Sequence, residues 1–454
     1  MKTSLRAHPS TTTTERPSLV TQLTTPAPRP PRPAAAHREE QPFDVSLFGA
    51  VFALLGIGVV MVYSSSVATA TRGSADPNLA LISHLKHIAV GLLAFTVGMS
   101  VDYQRYRKVV YPALLGAMGL LLMTLLMPAD KAEGAISYHN SARWLKLGGL
   151  QFQPSEVVKF AFVVYLAYSL EKKVEAVKTF TYGFLPHLVV GAILVTMCLQ
   201  QPDLGTALLL ATILMAMQFL AGSKMTTIAA FVLVAIPLAV SYMLSSRSAR
   251  ILAYLDPFAV RDSAGYQPVQ SILAIGSGGW TGLGLGDGYQ KHGYLTQAGT
   301  DFIFAAIGEE LGFMGCAVVV ALFVWLCVRG YRVAWKAPDR FGRYLAFGIT
   351  TLFGVQAFVN MAVATTVLPT KGLNLPFVSG GGTSMLVSCL AMGVLMNVSR
   401  YAEAPSTWKP RFHSGEGLVD FAKLPARKKS TKKAEFKGQK GTGVSPFTMP
   451  RNTR

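Results

Sequence analysis

Four groups of residues in this chain have the types and spacing to do chemistry. Asp301 stands in Thr300-Asp301-Phe302-Ile303-Phe304, where a long polar segment meets an apolar run, and Glu309 and Glu310 follow further along that run. A carboxylate at such an edge is costly against lipid and faces a cavity or a partner. Glu156 and Lys159 are three apart, on one face of a helix, as a mutual ion pair or as a joint contact to a ligand. Before them come Arg143-Trp144 and Gln151-Phe152-Gln153-Pro154-Ser155, an amphipathic approach with an aromatic suited to a membrane interface. The last group is the stretch 368–382, where Lys371 and Ser379 sit among two prolines and four glycines that break any helix.

Each group has a plainer reading beside the chemical one. Asp301 suits a helix N-cap or a first-turn acid at the positive end of the helix dipole. Glu309 and Glu310 suit hydrogen bonds between helices of a bundle. On one continuous helix Glu309 would lie about 12 Å beyond Asp301 and about 80° around it, lining the same cavity, with Glu310 turned nearly opposite Asp301. Charged groups at the edge of apolar runs are costly in lipid, so they face cavities or partners. An acid, cations and broken backbone on one side of a bilayer suit an amphiphilic substrate, its phosphate-bearing head bound and its tail left in lipid.

Apolar runs must position these groups. Runs of near-spanning length occur at about 46–66, 82–101, 109–127, 155–170, 183–200, 204–221, 226–244, 301–328, 344–367 and 382–399. The expected fold is an all-α polytopic membrane protein of about ten transmembrane helices. The run at 155–170 is short for a span and carries Glu156 and Lys159. Basic connections within 105–108, 172–178 and 329–343 alternate as the positive-inside rule requires, which puts both termini in the cytoplasm. The outer face then receives large loops at about 128–154 and 245–300 and a shorter one at about 368–381. Arg250 and Lys291 fall in the second of these, and long loops escape the charge rule. The glycine-dense segment 276–286 has no βαβ context, so it is no nucleotide loop; a re-entrant or interfacial course is expected.

Composition agrees with this architecture. The 454 residues are 51% hydrophobic and 14% charged, whereas an average soluble domain carries about 25% charged residues. The formal net charge of +19 is concentrated in tails and short loops, which favours membrane orientation over nucleic acid as a partner. Cys198, Cys316, Cys327 and Cys389 lie in apolar runs without ligand spacing and read as packing residues. No organic cofactor is expected. Residues 1–44, with a threonine run and clustered prolines but no apolar h-region, are expected to form a disordered cytoplasmic tail and not a cleaved signal peptide. Residues 401–454 form a basic cytoplasmic tail, either solvated or resting on anionic membrane lipids or a cytoplasmic partner.

Four motifs in order resemble the SEDS family, the shape, elongation, division and sporulation proteins that polymerise bacterial glycan strands. They are Gln153-Pro154-Ser155-Glu156-Val157-Val158-Lys159, Gln201-Pro202-Asp203-Leu204-Gly205-Thr206, Thr300-Asp301-Phe302-Ile303-Phe304 with Gly308-Glu309-Glu310-Leu311-Gly312, and the 368–382 stretch. The resemblance covers about 46–400, and Leu368-Pro369-Thr370-Lys371-Gly372-Leu373 looks like the division branch of the family more than its elongation branch. It implies an inverting peptidoglycan glycosyltransferase in the bacterial inner membrane, concentrated at the septum. Such an enzyme joins lipid II into strands on the outer face of that membrane during septal cell-wall synthesis and cell division.

The resemblance puts the catalytic base on Asp301 and substrate handling on Glu156, Lys159, Arg143, Trp144, Lys371 and Ser379. Glu309 and Glu310 become structural or cavity residues. It implies assistance by a divalent cation, Mg or Mn, although no metal cage is defined by these residues. The implied partners are lipid II, the growing lipid-linked strand, a class B penicillin-binding transpeptidase and other divisome proteins. Lipid II transport and a non-catalytic division scaffold are the alternative functions. The chain departs from the family pattern at Thr296, Gln297 and Gly299, where Leu-Pro-Glu-Ala-His is usual. It departs again at Gly381, where tyrosine is usual, and at Asp287, where asparagine is common.

Overall fold

A computed structural model describes residues 43–401 apart from 71–76, 127–136, 139–140, 148–149 and 296. The two expected tails, except for Phe43, Asp44 and Tyr401, lie outside the described residues, as does Thr296. Helices α1 (Val45–Ala70) and α2 (Pro77–Ser100) are followed, after a 3-10 turn at Tyr103–Arg105, by α3 (Tyr106–Leu126). Two small antiparallel ribbons, β1 (Ser137–Tyr138) with β2 (Ser141–Ala142) and β3 (Leu145–Leu147) with β4 (Leu150–Phe152), lead into α4 (Pro154–Lys172). The chain continues through α5 (Leu185–Gln200), α6 (Leu204–Ala221), α7 (Met225–Leu255), the short α8 (Tyr266–Gly278), α9 (Ile303–Lys336), α10 (Arg340–Ala364) and α11 (Gly382–Ser399).

Among the described residues, nine spans are long and apolar enough to cross a bilayer. Helix α4 is the tenth long helix, and its charge keeps it out of that set. It does not need an apolar surface, because it packs against α3, α6 and α10 and has nearly every side chain buried, Glu156 and Lys159 included. A helix in contact only with protein is relieved of lipid. The lipid-facing case is α7, where Leu233, Ile236 and Leu238 are all exposed. The chain is thus a multi-pass helical membrane protein of about ten spans, as its apolar runs require.

Two boundaries differ from the sequence reading. Helix α7 runs on to Leu255 and α8 occupies Tyr266–Gly278, so much of the expected loop at 245–300 is helical. Hydropathy marks where a helix leaves lipid, whereas backbone hydrogen bonds decide where it ends. The second difference is in α9, which starts at Ile303, after Asp301, and breaks at Gly312 (φ 65°, ψ −164°). A helix break in a membrane protein must have its freed backbone groups paired. Here Phe313 N–H donates to Gly279 O at 2.9 Å and Met314 N–H to Trp280 O at 3.2 Å. In the other direction Leu283 N–H donates to Glu309 O at 3.0 Å and Gly284 N–H to Glu310 O at 3.1 Å. The glycine-dense segment therefore runs alongside the break and completes it.

At the end of the bundle where α2, α4 and α9 terminate, polar groups lock the connections. Asp339 accepts from Tyr103 Oη (3.0 Å), Gln104 Nε2 (2.6 Å) and Arg107 Nη2 (2.8 Å), and Arg107 also pairs with Glu171 at 2.8 Å. That leaves the opposite end free to carry a cavity.

Candidate active site

The opposite end holds a cavity of about 560 Å³. Its walls come from the ribbon segment at Arg143-Trp144, the α5–α6 turn, α7, α8, the segment 297–302 and the loop 370–381. Short-range bonding explains how these loops stay together. Asn360, within α10, donates from one amide to Asp301 O (2.8 Å) and Leu373 O (2.7 Å). Ser379 Oγ donates to Thr300 O at 2.7 Å and accepts from Leu375 N–H at 2.8 Å, while Gly380 N–H donates to Gly299 O at 2.9 Å. The segment carrying Asp301 and the loop carrying Lys371 are thus sewn together through their main chains.

Asp301 faces the cavity, and among the described residues its carboxylate accepts no hydrogen bond. Its backing is tight, since a Cβ added to Gly372 would stand 3.1 Å from Asp301 Oδ2. Removal from water, reinforced by the Asp203 carboxylate, raises its pKa from 3.8 to about 6; Arg143 and Arg250 pull the other way. A carboxylate poised there is still ionised at neutral pH and is a stronger proton acceptor than an ordinary aspartate.

Three cations line the same space. Arg143 Nε and Nη2 donate at 2.6 Å to the carbonyls of Gln201 and Pro202, which fixes the ribbon segment to the α5–α6 turn. Arg250 Nη1 lies 3.4 Å from Thr370 O. The Lys371 ammonium makes no hydrogen bond among the described residues, and burial, with Arg250 nearby, lowers its pKa from the usual lysine value. Asp203 caps α6 by accepting from Thr206 N–H at 3.1 Å and Thr206 Oγ1 at 2.8 Å.

Of the residues picked out from the sequence, Asp301, Glu156, Arg143, Trp144 and Lys371 line the cavity. Lys159 and Ser379 do not. Lys159 lies behind Glu156, paired to it at 2.7 Å and bonded to Gln356 Oε1 at 3.0 Å, so its charge is spent on the wall. Ser379 is occupied by backbone groups. The expectation that Glu309 shares the Asp301 cavity is corrected, because Asp301 precedes the helix that carries Glu309. Glu309 instead accepts the N–H groups of Tyr289 (2.6 Å) and Gln290 (3.0 Å), and Glu310 pairs with Lys291 at 2.7 Å. Sequence reasoning gave no site role to Asp203, Arg250 or Asn360. For Asn360 a signal existed, an amide in the middle of the run 344–367.

The fit of a divalent cation can be judged from the donors present. Among the described residues no three His, Cys, Asp or Glu side chains converge on one point. Glu156 is committed to Lys159 and Asp203 to its cap, so these residues do not form a cage.

Fold and site together define a polytopic membrane protein with a carboxylate-and-cation chamber at one end of its bundle. The chain belongs to the cell cycle protein family of FtsW, RodA and SpoVE, whose pattern matches residues 45–404. It is similar to the probable peptidoglycan glycosyltransferase FtsW of Geobacter metallireducens, 44% identical over 366 residues, or 80% of this chain and 96% of that one. The protein of the same name from Legionella pneumophila is 39% identical over 78% of this chain and 90% of its own. Among solved structures, a chain reported under "Structural coordination of polymerization and crosslinking by a peptidoglycan synthase complex" matches with a TM-score of 0.63 at 25% identity, covering 80% of this chain and 99% of that one. A mutant of the rod shape determining protein RodA from Thermus thermophilus matches with a TM-score of 0.58 at 25% identity, over 79% and 97% of the two chains.

Proposed function

We propose that this chain is a peptidoglycan glycosyltransferase that polymerises lipid II during septal wall synthesis, with Asp301 as its general base. The observation that carries this reading is the Asp301 carboxylate, unbonded among the described residues, poised near pH 6 and facing a chamber that also presents Arg143, Arg250 and Lys371. The acceptor sugar's 4-hydroxyl gives its proton to Asp301 as its oxygen bonds to the anomeric carbon of the growing strand. The bond from that carbon to the pyrophosphate oxygen breaks, and undecaprenyl pyrophosphate leaves with the electron pair. One base and a single displacement invert the anomeric centre, as in inverting glycosidases with a sugar in place of water. The guanidinium and ammonium groups stabilise the charge that develops on the pyrophosphate.

Relatives named as FtsW glycosyltransferases support the reaction, and a solved synthase complex named for polymerization and crosslinking supports a crosslinking transpeptidase as partner. The chamber belongs on the outer face of the cytoplasmic membrane, with both termini inside, where lipid II presents its sugars at the septum. Its place among loops at one end of the bundle favours surface chemistry over transport, which calls for a site near the midplane.

The deciding experiment is polymerisation of labelled lipid II by the full chain and by Asp301→Asn, each co-purified with its transpeptidase. Strands from the wild type, and a rate about 100-fold or more lower in the folded variant, are expected. Equal strand formation by the two would remove Asp301 from the role of base.

A further inference from the structure

Ser64, Lys291 and Glu310 form a buried polar cluster that the reaction above does not use. Lys291 Nζ lies 2.7 Å from Glu310 Oε1 and 2.8 Å from Ser64 Oγ, and the lysine and glutamate side chains are 2% and 0% exposed. Ser64 Oγ donates to Glu310 at 2.6 Å, and Glu310 Oε2 accepts Gly286 N–H at 3.0 Å. One residue earlier on α9, Glu309 holds the N–H groups of Tyr289 and Gln290. Three stretches meet in this cluster: α1, the chain at 286–291, and the first part of α9. Desolvation offsets most of the attraction in a buried ion pair, so its net contribution to stability is small. Its physical effect is to fix geometry.

That geometry reaches the reacting segment through the next residue of α1. A Cβ added to Gly299 would stand 3.5 Å from Ser65 Cβ, and Gly299 O is the acceptor for Gly380 N–H. Consecutive residues of α1 therefore join the cluster, at Ser64, and lie beside the chain two residues before Asp301, at Ser65. Among the described residues near these points, Leu295 N–H donates to Gln290 O at 2.8 Å, and Leu295 and Ala298 are buried.

We propose that Ser64, Lys291 and Glu310 are positioning residues, a buried latch that sets where Asp301 stands by pinning residues 286–291 against α1. The kinetic consequence rests on Asp301 being the base of the proposed reaction; the geometric consequence does not.

The test uses the full chain with its four native cysteines replaced by alanine and with Ser65→Cys and Gly299→Cys introduced, a pair whose Cβ separation of 3.5 Å falls in the disulfide range. The latch is removed by Lys291→Met with Glu310→Gln, which takes away both buried charges yet leaves an acceptor for Gly286 N–H. Ser64→Ala is a milder second variant that leaves the ion pair in place. Oxidation is expected to close the disulfide about fivefold more slowly in the latch variant than in its parent, and about twofold more slowly with Ser64→Ala.

Without the engineered cysteines, the latch variant is expected to lose about tenfold or more in kcat for strand synthesis, with KM for lipid II within about twofold. The preformed 65–299 disulfide should then restore most of that loss, which a merely structural role would not predict. Equal crosslinking rates in parent and latch variant overturn the latch whatever the activity. Slower crosslinking with an unchanged kcat overturns its link to Asp301. A parent that makes no strands counts against the proposed function alone, because the crosslinking comparison still decides the latch.

Discussion

Gly372 backs Asp301 so closely that a single added carbon on it would come within 3.1 Å of the Asp301 Oδ2 oxygen. This approach brings the loop that carries Lys371 up against the acid in the wall of one cavity. Gly372→Ala is therefore expected to push the carboxylate off its line of attack while leaving the fold intact, since Gly372 is not among the positive-φ glycines. A displacement of this kind lowers kcat about tenfold or more. Steady-state rates on lipid II, alongside an unchanged melting temperature, would check it.

The raised pKa of Asp301 fixes the direction of two pH effects. As the base it must be ionised, so strand synthesis should fall as pH drops through about 6, with full activity above. Stability runs the other way. The folded chain holds this proton more tightly than the unfolded chain, so Asp301 adds stability below its ordinary 3.8 that is lost as pH rises through about 6. Asp301→Asn should then melt at a higher temperature than wild type at pH 8, with the gap narrowing toward pH 5. Thermal melts of the two proteins at both pH values would show this or its absence.

Asn360 ties Asp301 to Leu373 with one amide, and its loss frees both carbonyls in a buried place. Asn360→Ala is expected to cost about 1–3 kcal/mol of stability. It should also lower kcat more than Asn360→Gln, which keeps a donor on a longer stem. Denaturation midpoints and rates for the pair of variants would separate the two effects.

Gly312 is the one place in α9 where the backbone turns to positive φ, and a Cβ there would meet Gly282 N at 2.3 Å. Gly312→Ala combines backbone strain with overpacking and should destabilise the chain by at least about 2 kcal/mol. Loss of monodisperse protein in detergent on mild heating would be the readout.

Much of this was legible in the sequence, and the reasons differ from residue to residue. The run 204–221 became α6 with the same ends, because an unbroken apolar run lies between a capping aspartate, Asp203, and a glycine, Gly222, that turns to positive φ. The acids of α9 misled for a geometric reason. Spacing on an ideal helix put Asp301 and Glu309 on one cavity, but the helix begins at Ile303 and Glu309 turns to the backbone of the 289–290 segment. Arg250 was hidden because hydropathy ended its helix near 244, short of the polar last turns that carry it to the chamber. Lys159 and Ser379 were found as residues that matter; the structure gives them to the wall behind the cavity and to the loop's main chain.

The enclosure of α4 bears on how the chain is made. A charged residue costs up to roughly 2.5–3.5 kcal/mol of insertion free energy at the centre of a span and less toward its ends. Helix α4 carries four, Glu156 and Lys159 toward one end and Glu171 and Lys172 at the other, in a span only 19 residues long. Alone at the translocon, this segment would be a poor candidate for the bilayer. Its partners in the finished bundle include α6 and α10, which are synthesised later. Biogenesis must therefore hold α4 beside α3 until those helices arrive, so the segment bearing Glu156 enters the membrane as part of a group.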